Sequence, residues 1–556
     1  MSDQTKNTQS VREALEGRHL LVTGFTGFLA KVWVAMLLDR VPGIGKITLL
    51  VRARRDESAV QRVRRIFERS PAMRPLRDKY GDGLLDLVRD KIEVLAGDAG
   101  KPLMGIDPAV LASLAPRLDA VVHSAGLTDF SPDPIRALDT NVLGAIHAGD
   151  VAARTPEKRL IHISTCFVAG EMGGKVTEHI EPGQSPNGTH FDVEAEMLSM
   201  RSVCAAINER EGGPRKPAAR RGRVEVGTKR AQSLGYPNLY TYSKGLAEQA
   251  LVDREDIALT VVRPSIVECA RTFPFTGWNE GLNTSGPIVW MCSGYVWKVP
   301  IRADNTFDVV PVDTVARGMT VALVNALADD AEPVYQLASG DHNRLSFDRA
   351  LDLTALTVRR GYVPSGVNAL ERALLTHMDS TPLDRGADRS VLLPTAQKAT
   401  RWLRDRFRRF DGQKHLPSTV SDTDRDAWHT KAQETSLKLN KTSRLLESID
   451  ALWHSYQPFV HDHDFRFDTN RVRARTAEMS EADQKEFGWD LETLCWRNYW
   501  MNVEIPGLDK WSLPLLRGKT IPDDDGIDLG GDPPSVSAAA LPASVESSSA
   551  QIGGAK

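Results

Sequence analysis

One feature constrains this chain more than any other. Near its start a short, almost wholly apolar run, HLLVTG, meets a glycine-punctuated turn, then the helical pattern KVWVAMLLDRV, then a second apolar run, KITLLVR. The same alternation returns at KIEVLAGD, LDAVVHSAG, KRLIHIST and IALTVVRPS. Apolar strands separated by helical stretches imply a parallel sheet covered by helices on both faces, a doubly wound α/β fold of the Rossmann type. The spacing predicts that this α/β unit occupies residues 18–340. Residues 1–17 are polar and read as a mobile tail.

Beyond residue 340 the strand rhythm fades. Segments such as SFDRALDLTALTVRRG, TAQKATRWLRDRFRRF and NKTSRLLESIDALWHSY have helical periodicity, which predicts a second, mainly helical domain over 341–515. Residues 516–556 are rich in Asp, Gly, Pro, Ser and Ala and read as a disordered tail. Between residues 205 and 235 a basic, Gly- and Pro-rich stretch reads as an insertion in the α/β unit, its basic part from Arg215 to Arg230 as a solvated loop unless it meets CoA phosphates or anionic lipid. The net charge of −3 argues against a general nucleic-acid binder. Five cysteines stand singly, without metal-ligand spacing, which suits a reducing cytoplasm. No apolar run is long enough to span a bilayer, so any membrane contact is expected to be peripheral.

The first turn, Thr23-Gly24-Phe25-Thr26-Gly27-Phe28-Leu29-Ala30, spaces its small residues as G-x-x-G-x-x-A. Such a turn lets the backbone approach a pyrophosphate, and the following helix points its free N–H groups at the phosphates. The second strand ends in Arg52-Ala53-Arg54-Arg55 where an acidic residue would grip a ribose 2′-hydroxyl. Arg52 and Arg54 suit a 2′-phosphate instead, because a guanidinium forks onto phosphate oxygens, so the expected cofactor is NADPH. A solvated basic loop is the alternative. Asp98 follows the third strand and is a candidate for contact with adenine; Ser124 and Ala125 follow the fourth, where small residues let the chain pass beneath a cofactor.

Tyr240 and Lys244 form Y-x-x-x-K at the head of a helical segment and share one of its faces. A nearby ammonium favours the phenolate, so Lys244 is expected to lower the pKa of Tyr240 and make it a proton donor to a carbonyl oxygen accepting hydride. Tyr242 has no lysine four residues on. A hydroxyl at the end of the fifth strand should orient that oxygen, with Thr165 placed first and Ser164 second. Asn141 is a candidate to hold a water or brace the helix behind Lys244. Pro264, Ser265 and Ile266 end the next strand, where backbone groups can meet a nicotinamide carboxamide.

Together TGFTGFLAK, HISTCFVAG, YTYSKGLAE and VVRPSIV resemble an extended short-chain dehydrogenase, and more specifically the fatty acyl-CoA reductases. GWNEG at 277–281, Val310-Pro311-Val312-Asp313, Phe465-Arg466-Phe467, Ser480-Glu481-Ala482-Asp483, Phe487-Gly488-Trp489-Asp490, Trp496 and Tyr499 extend the resemblance over residues 18–515. The arginine- and proline-rich insertion and the acidic tail depart from the family pattern, and residues 345–440 match only loosely. The resemblance implies that a long-chain fatty acyl-CoA is reduced with two NADPH, through an aldehyde, to a primary alcohol and free CoA. Thr165, Tyr240 and Lys244 would serve both rounds, with Lys244 also holding the nicotinamide ribose. A thioester reductase that stops at the aldehyde, on CoA or a carrier protein, is the alternative. A sugar-nucleotide epimerase or steroid dehydrogenase shares the fold but would not need the helical C-terminal part. A catalytically dead NADPH-binding scaffold is opposed by the intact Thr165, Tyr240 and Lys244. Oligomeric state is left open.

Two further stretches carry chemistry that the resemblance does not require. His461 and His463 lack further ligands in sequence, and no metal is expected. Trp402, Leu403, Phe407 and Phe410, set among Arg401, Arg404, Arg406, Arg408 and Arg409, make a basic amphipathic helix. It is read as facing the core with a solvated basic side, in preference to lying on a membrane.

Overall fold

In a computed structural model, seven parallel strands form the central sheet: β1 (His19–Thr23), β2 (Lys46–Val51), β3 (Ile92–Ala96), β4 (Ala120–His123), β5 (Arg159–Ile163), β7 (Ala258–Pro264) and β11 (Val334–Leu337). The structure describes residues 10–281, 286, 298–299, 301–360, 381–382, 392–417, 419–516, 518–521, 527 and 529–536. The strand order is β11-β7-β5-β4-β1-β2-β3. Every residue of β1, β4, β5 and β11 is buried, which explains why these segments read as apolar runs with little alternation. Chain direction across the sheet reverses between β1 and β4. In a doubly wound sheet the crevice opens at that point, beyond the carboxyl ends of the strands.

Short strands complete the count: β6 (Gly174–Val176), β8 (Ile266–Glu268), β9 (Lys298–Val299), β10 (Val309–Pro311), β12 (Thr381–Pro382) and β13 (Phe465–Phe467). The helix Phe28–Arg40 follows the glycine turn and buries Val32, Trp33 and Met36. Its Trp33 indole donates to Thr320 Oγ1 (3.1 Å) on the buried helix Val312–Leu327.

The C-terminal segment returns to the α/β unit in a separate two-stranded sheet. β13 pairs in parallel with β6, Phe465 opposite Gly174. Arg471, in the helix Asn470–Ala477, donates from its backbone to the Glu178 carboxylate (3.0 Å) and from its guanidinium to the carbonyls of Glu178 and Val334. Val11, Leu15, Trp33, Met319, Trp489 and Trp500 belong to one continuous core.

Three expectations change. Residues 11–15 form a short helix instead of a mobile tail, with Val11, Ala14 and Leu15 buried and the Val11 N–H bonded to Asp483 (3.2 Å). Part of the C-terminal stretch is also ordered. Val94 on edge strand β3 donates to Pro534 O (2.7 Å) and accepts from Val536 N–H (2.9 Å), so residues 534–536 run along the sheet edge. The basic insertion is two helices, Val193–Arg210 and Pro217–Ser233. Two of its arginines are engaged, buried Arg223 with Asp133 and Arg230 with Glu196, while Arg215, Arg220 and Arg221 are exposed. Both carboxylates stand outside the helix Pro217–Ser233, a pairing that composition alone does not reveal.

Candidate active site

The carboxyl ends of β1, β2, β3, β4, β5 and β7 open on one cavity of about 610 Å³. At the end of β1, Gly24 has φ +80°, and a Cβ there would lie 2.6 Å from the Ser124 carbonyl carbon. Only glycine allows both that conformation and that approach. Gly27 caps the following helix without a side-chain hydrogen bond, so its first N–H groups face the cavity unshared with a capping side chain. Thr26, Phe28 and Leu29 line the same wall. Thr23 lies beneath it, its buried hydroxyl accepting from Ala125 N–H (3.1 Å) and meeting His123 Nδ1 (3.0 Å).

At the β2 end Arg52 lines the cavity, its guanidinium 3.7 Å from Asp98, which also lines it. Arg54 does not: it is exposed, and its backbone N–H donates to Glu57 O (2.8 Å). Arg62, from the helix after β2, takes a place on the wall that the reading of the β2 end did not assign. Ser124 and Ala125 form the floor after β4, and Pro264, Ser265 and Ile266 the wall after β7. The Ser265 hydroxyl is tied to Asp308 O (2.6 Å). These features fit a dinucleotide: a glycine cradle that a Cβ would fill, uncapped helix N–H groups, and an arginine beside the strand that receives the adenosine ribose in this fold.

The other end of the cavity gathers Ser164, Thr165, Tyr240 and Lys244. Asn238 caps the helix Leu239–Val252 by accepting from Thr241 N–H (2.9 Å), which fixes Tyr240 and Lys244 one turn apart on the cavity side. Lys244 Nζ donates to Ile163 O (2.6 Å). Asn141 stands behind the wall: its amide donates to Ser243 Oγ (2.8 Å) and Leu127 O (3.0 Å), and its carbonyl accepts from Leu127 N–H (2.7 Å). It thus braces the residue next to Lys244. Thr165 Oγ1 accepts from Phe167 N–H (3.3 Å), whereas the buried Ser164 hydroxyl has no partner among the described residues.

The electrostatics differ from expectation. Burial pushes the Tyr240 hydroxyl up to about 12, with a hydrogen bond from Thr165 pulling the other way. Burial also lowers Lys244 to about 8. Desolvation of both groups outweighs the pairwise effect that the four-residue spacing suggests. His123 and His162 stack beneath this end (5.5 Å between centroids) and are held neutral by burial and the nearby Lys244.

An aromatic wall faces Tyr240. Phe130 stacks on it (6.1 Å) and meets Tyr456 (5.2 Å) and Phe459 (5.9 Å). Phe459 packs edge-on against Phe167 (5.2 Å). Phe130, Phe167 and Phe459 line the cavity, Phe459 coming from the C-terminal segment more than two hundred residues beyond Tyr240. Opposite, Glu280 lines the cavity in the GWNEG segment and is held at 2.6 Å by buried Lys31 of the first helix after the glycine turn. None of these was singled out from sequence for the site. The signal available was that Lys31 and Glu280 lie in the quoted motifs.

His461 bonds the neighbouring Asp462 (2.9 Å). Among the described residues, buried Glu268, Cys269 and Glu504 converge closely enough to hold a cation. Tyr499 donates to the same Glu504 (3.0 Å). The four described cysteines, 166, 204, 269 and 495, are free, and Cys292 lies outside the described residues.

Comparison with known proteins bears on this arrangement. Residues 22–319 match the NAD-binding family described as male sterility protein. Fatty acyl-CoA reductase 8 of Arabidopsis thaliana is 27% identical over 89% of this chain and 97% of its own length. The alcohol-forming fatty acyl-CoA reductase of Simmondsia chinensis is 28% identical over 90% and 98%. Among solved structures, the reductase domain of a non-ribosomal peptide synthetase from Mycobacterium tuberculosis aligns with a TM-score of 0.44 and 19% identity, over 85% of this chain and 90% of that one.

Proposed function

The chain belongs to the male sterility protein family of NAD-binding proteins, and on that premise we propose that it is an NADPH-dependent reductase converting a long-chain fatty acyl-CoA, through the aldehyde, to a primary alcohol. The observation that carries this reading is a single cavity joining the glycine cradle of Gly24 to the Thr165, Tyr240 and Lys244 end, roofed there by phenylalanines. The similarity to fatty acyl-CoA reductases along nearly the whole chain supports the substrate class.

Gly24, Thr26, Gly27, Phe28 and Leu29 hold the pyrophosphate side of NADPH, and Arg52 the 2′-phosphate. Asp98, Ser124 and Ala125 support the adenosine side, and Pro264, Ser265 and Ile266 the nicotinamide side. When bound, NADPH supplies hydride to the substrate carbonyl carbon. Thr165 holds the carbonyl oxygen beside Tyr240, which gives that oxygen its proton. A tyrosine raised to about 12 stays protonated at neutral pH and is a ready donor to an alkoxide. Lys244, fixed on Ile163 O, carries positive charge next to the developing oxyanion, and Asn141 keeps its helix in place. The hemithioacetal then collapses: the C–S bond breaks, CoA leaves as the thiol, and an aldehyde remains. Once Tyr240 has taken a proton back from water and a second NADPH has replaced the spent cofactor, a second hydride from that NADPH and a second proton from Tyr240 would give the alcohol.

The aromatic wall of Phe130, Phe167 and Phe459 takes the start of the acyl chain, where each buried methylene adds about 0.8 kcal/mol to retention of the aldehyde. The test is acyl-CoA-dependent oxidation of NADPH by the purified protein, with CoA thiol release and products identified by mass. Oxidation of NADPH with release of CoA supports the reading. Absence of CoA release across acyl lengths overturns it.

A further inference from the structure

The helices Leu392–Arg408 and Asp422–Gln457 form an antiparallel hairpin. Ser436 Oγ donates to Arg404 O (3.2 Å), Gln433 to Arg408 O (3.4 Å), and Arg401 pairs with Glu447 (2.8 Å). These contacts place positions 401, 404 and 408 of the first helix against the second. The helical period then turns Trp402, Leu403 and Phe407 outward, and they are 61%, 38% and 37% exposed. The expectation that this stretch faces the core is therefore overturned for these three side chains. Five of the eight strongly exposed large apolar residues among the described ones lie on this hairpin, Trp428 and Leu437 being the others, so the exposure is concentrated and not scattered.

The charge on this helix is equally one-sided. Residues 397–410 carry six arginines and lysines against one acid, Asp405. The Arg406 guanidinium lies 5.6 Å from the centre of the Trp402 ring, and Lys398 and Arg409 are exposed beside it. We propose that the outer face of the helix Leu392–Arg408 docks on an anionic phospholipid surface. Trp402, Leu403 and Phe407 enter the interfacial layer while Lys398, Arg406 and Arg409 meet the headgroups. A tryptophan ring beneath a guanidinium suits the boundary between headgroup and acyl chain. A second copy of this chain is disfavoured as occupant, because two such basic faces repel. An acidic protein would match the charge but leaves the projecting Trp402 without the apolar medium that a bilayer offers.

The long second helix ends at Gln457, with Tyr456 and Phe459 on the aromatic wall of the cavity. The hairpin therefore links the docking face to the site, which suits a substrate that partitions into lipid. The docking itself does not depend on the proposed reaction.

The test is co-sedimentation of the full chain with vesicles of phosphatidylglycerol and phosphatidylcholine, and with phosphatidylcholine alone. Trp402→Ser/Phe407→Ser and Arg406→Glu/Arg409→Glu are compared with Leu437→Ser, and thermal melts check folding. Wild type should bind the anionic vesicles and lose binding with added salt. Each double variant should lower partitioning by about tenfold or more, while Leu437→Ser, off this face, should not. Equal binding to neutral vesicles, or anionic binding unchanged in both double variants, overturns the proposal. So does capture on immobilised polyglutamate without vesicle binding, which would point to an acidic protein partner. If the double variants melt early, single substitutions at Trp402 and Arg406 with the same readout decide the question.

Discussion

The two halves of the cavity are built in opposite ways. The polar half consists of strand ends and the first turn of the helix bearing Tyr240, and its residues fall within short motifs. The aromatic half is assembled from Phe130 after β4, Phe167 after β5, and Tyr456 and Phe459 from the far end of the chain. The polar half is dictated by backbone geometry: Gly24 must be glycine because Ser124 lies where its Cβ would be. The aromatic half needs only large apolar surface, which many sequences satisfy. Chemistry and cofactor choice should therefore reside in the first half, and chain retention in the second.

The largest effect tests the polar half. Tyr240→Phe should lower turnover on both thioester and aldehyde by roughly two to four orders of magnitude, with NADPH binding retained. Wild-type turnover on either substrate would remove Tyr240 from the proton step. Next, Arg52→Asp should weaken NADPH by about tenfold or more and leave NADH nearly unchanged, read as dissociation constants from cofactor fluorescence. Equal use of both cofactors by the wild type would contradict the NADPH reading, and unchanged NADPH binding in Arg52→Asp would move phosphate recognition elsewhere, for which Arg62 is placed on the same wall. A smaller effect belongs to the aromatic half. Phe459→Leu should raise KM for long acyl chains a few-fold, by loss of its ring contacts, roughly 0.5–1.5 kcal/mol each, with cofactor binding intact. An equal change for short and long chains would break the division of labour.

The smallest effect is on stability. Lys244 is held down at about 8 from its ordinary 10.5. The unfolded chain then binds the proton more tightly than the folded one between these values. The stability that this group contributes is full above 10.5 and is lost as pH falls through 8. In cofactor-free protein, the melting temperature of wild type relative to Lys244→Met should rise from pH 8 towards 10.5. A flat difference would mean that burial does not govern this lysine.

The same contrast explains what could be read in the sequence. Strand rhythm was legible because parallel strands buried on both faces must be apolar throughout. Gly24, Ser124 and Thr165 were legible as motif members at strand ends, Tyr240 and Lys244 as Y-x-x-x-K on a helix, and the structure brings them to one cavity. The insertion misled because Gly, Pro and Arg suggest a solvated loop, whereas Asp133 and Glu196 on other elements neutralise Arg223 and Arg230 and let helices form. Tyr240 misled for a related reason: sequence spacing shows the neighbouring lysine but not the desolvation that dominates it. Phe459 gave no signal at all, since its partners on the cavity wall, Phe130 and Phe167, lie hundreds of residues away.

The proposed reaction has one site reduce the same carbon twice. Its test is the count of NADPH oxidised per CoA released, with products identified by mass under excess NADPH. Two NADPH per CoA and alcohol as the dominant product are expected. One NADPH per CoA, with free aldehyde accumulating, would contradict that reaction and make the protein an aldehyde-forming thioester reductase.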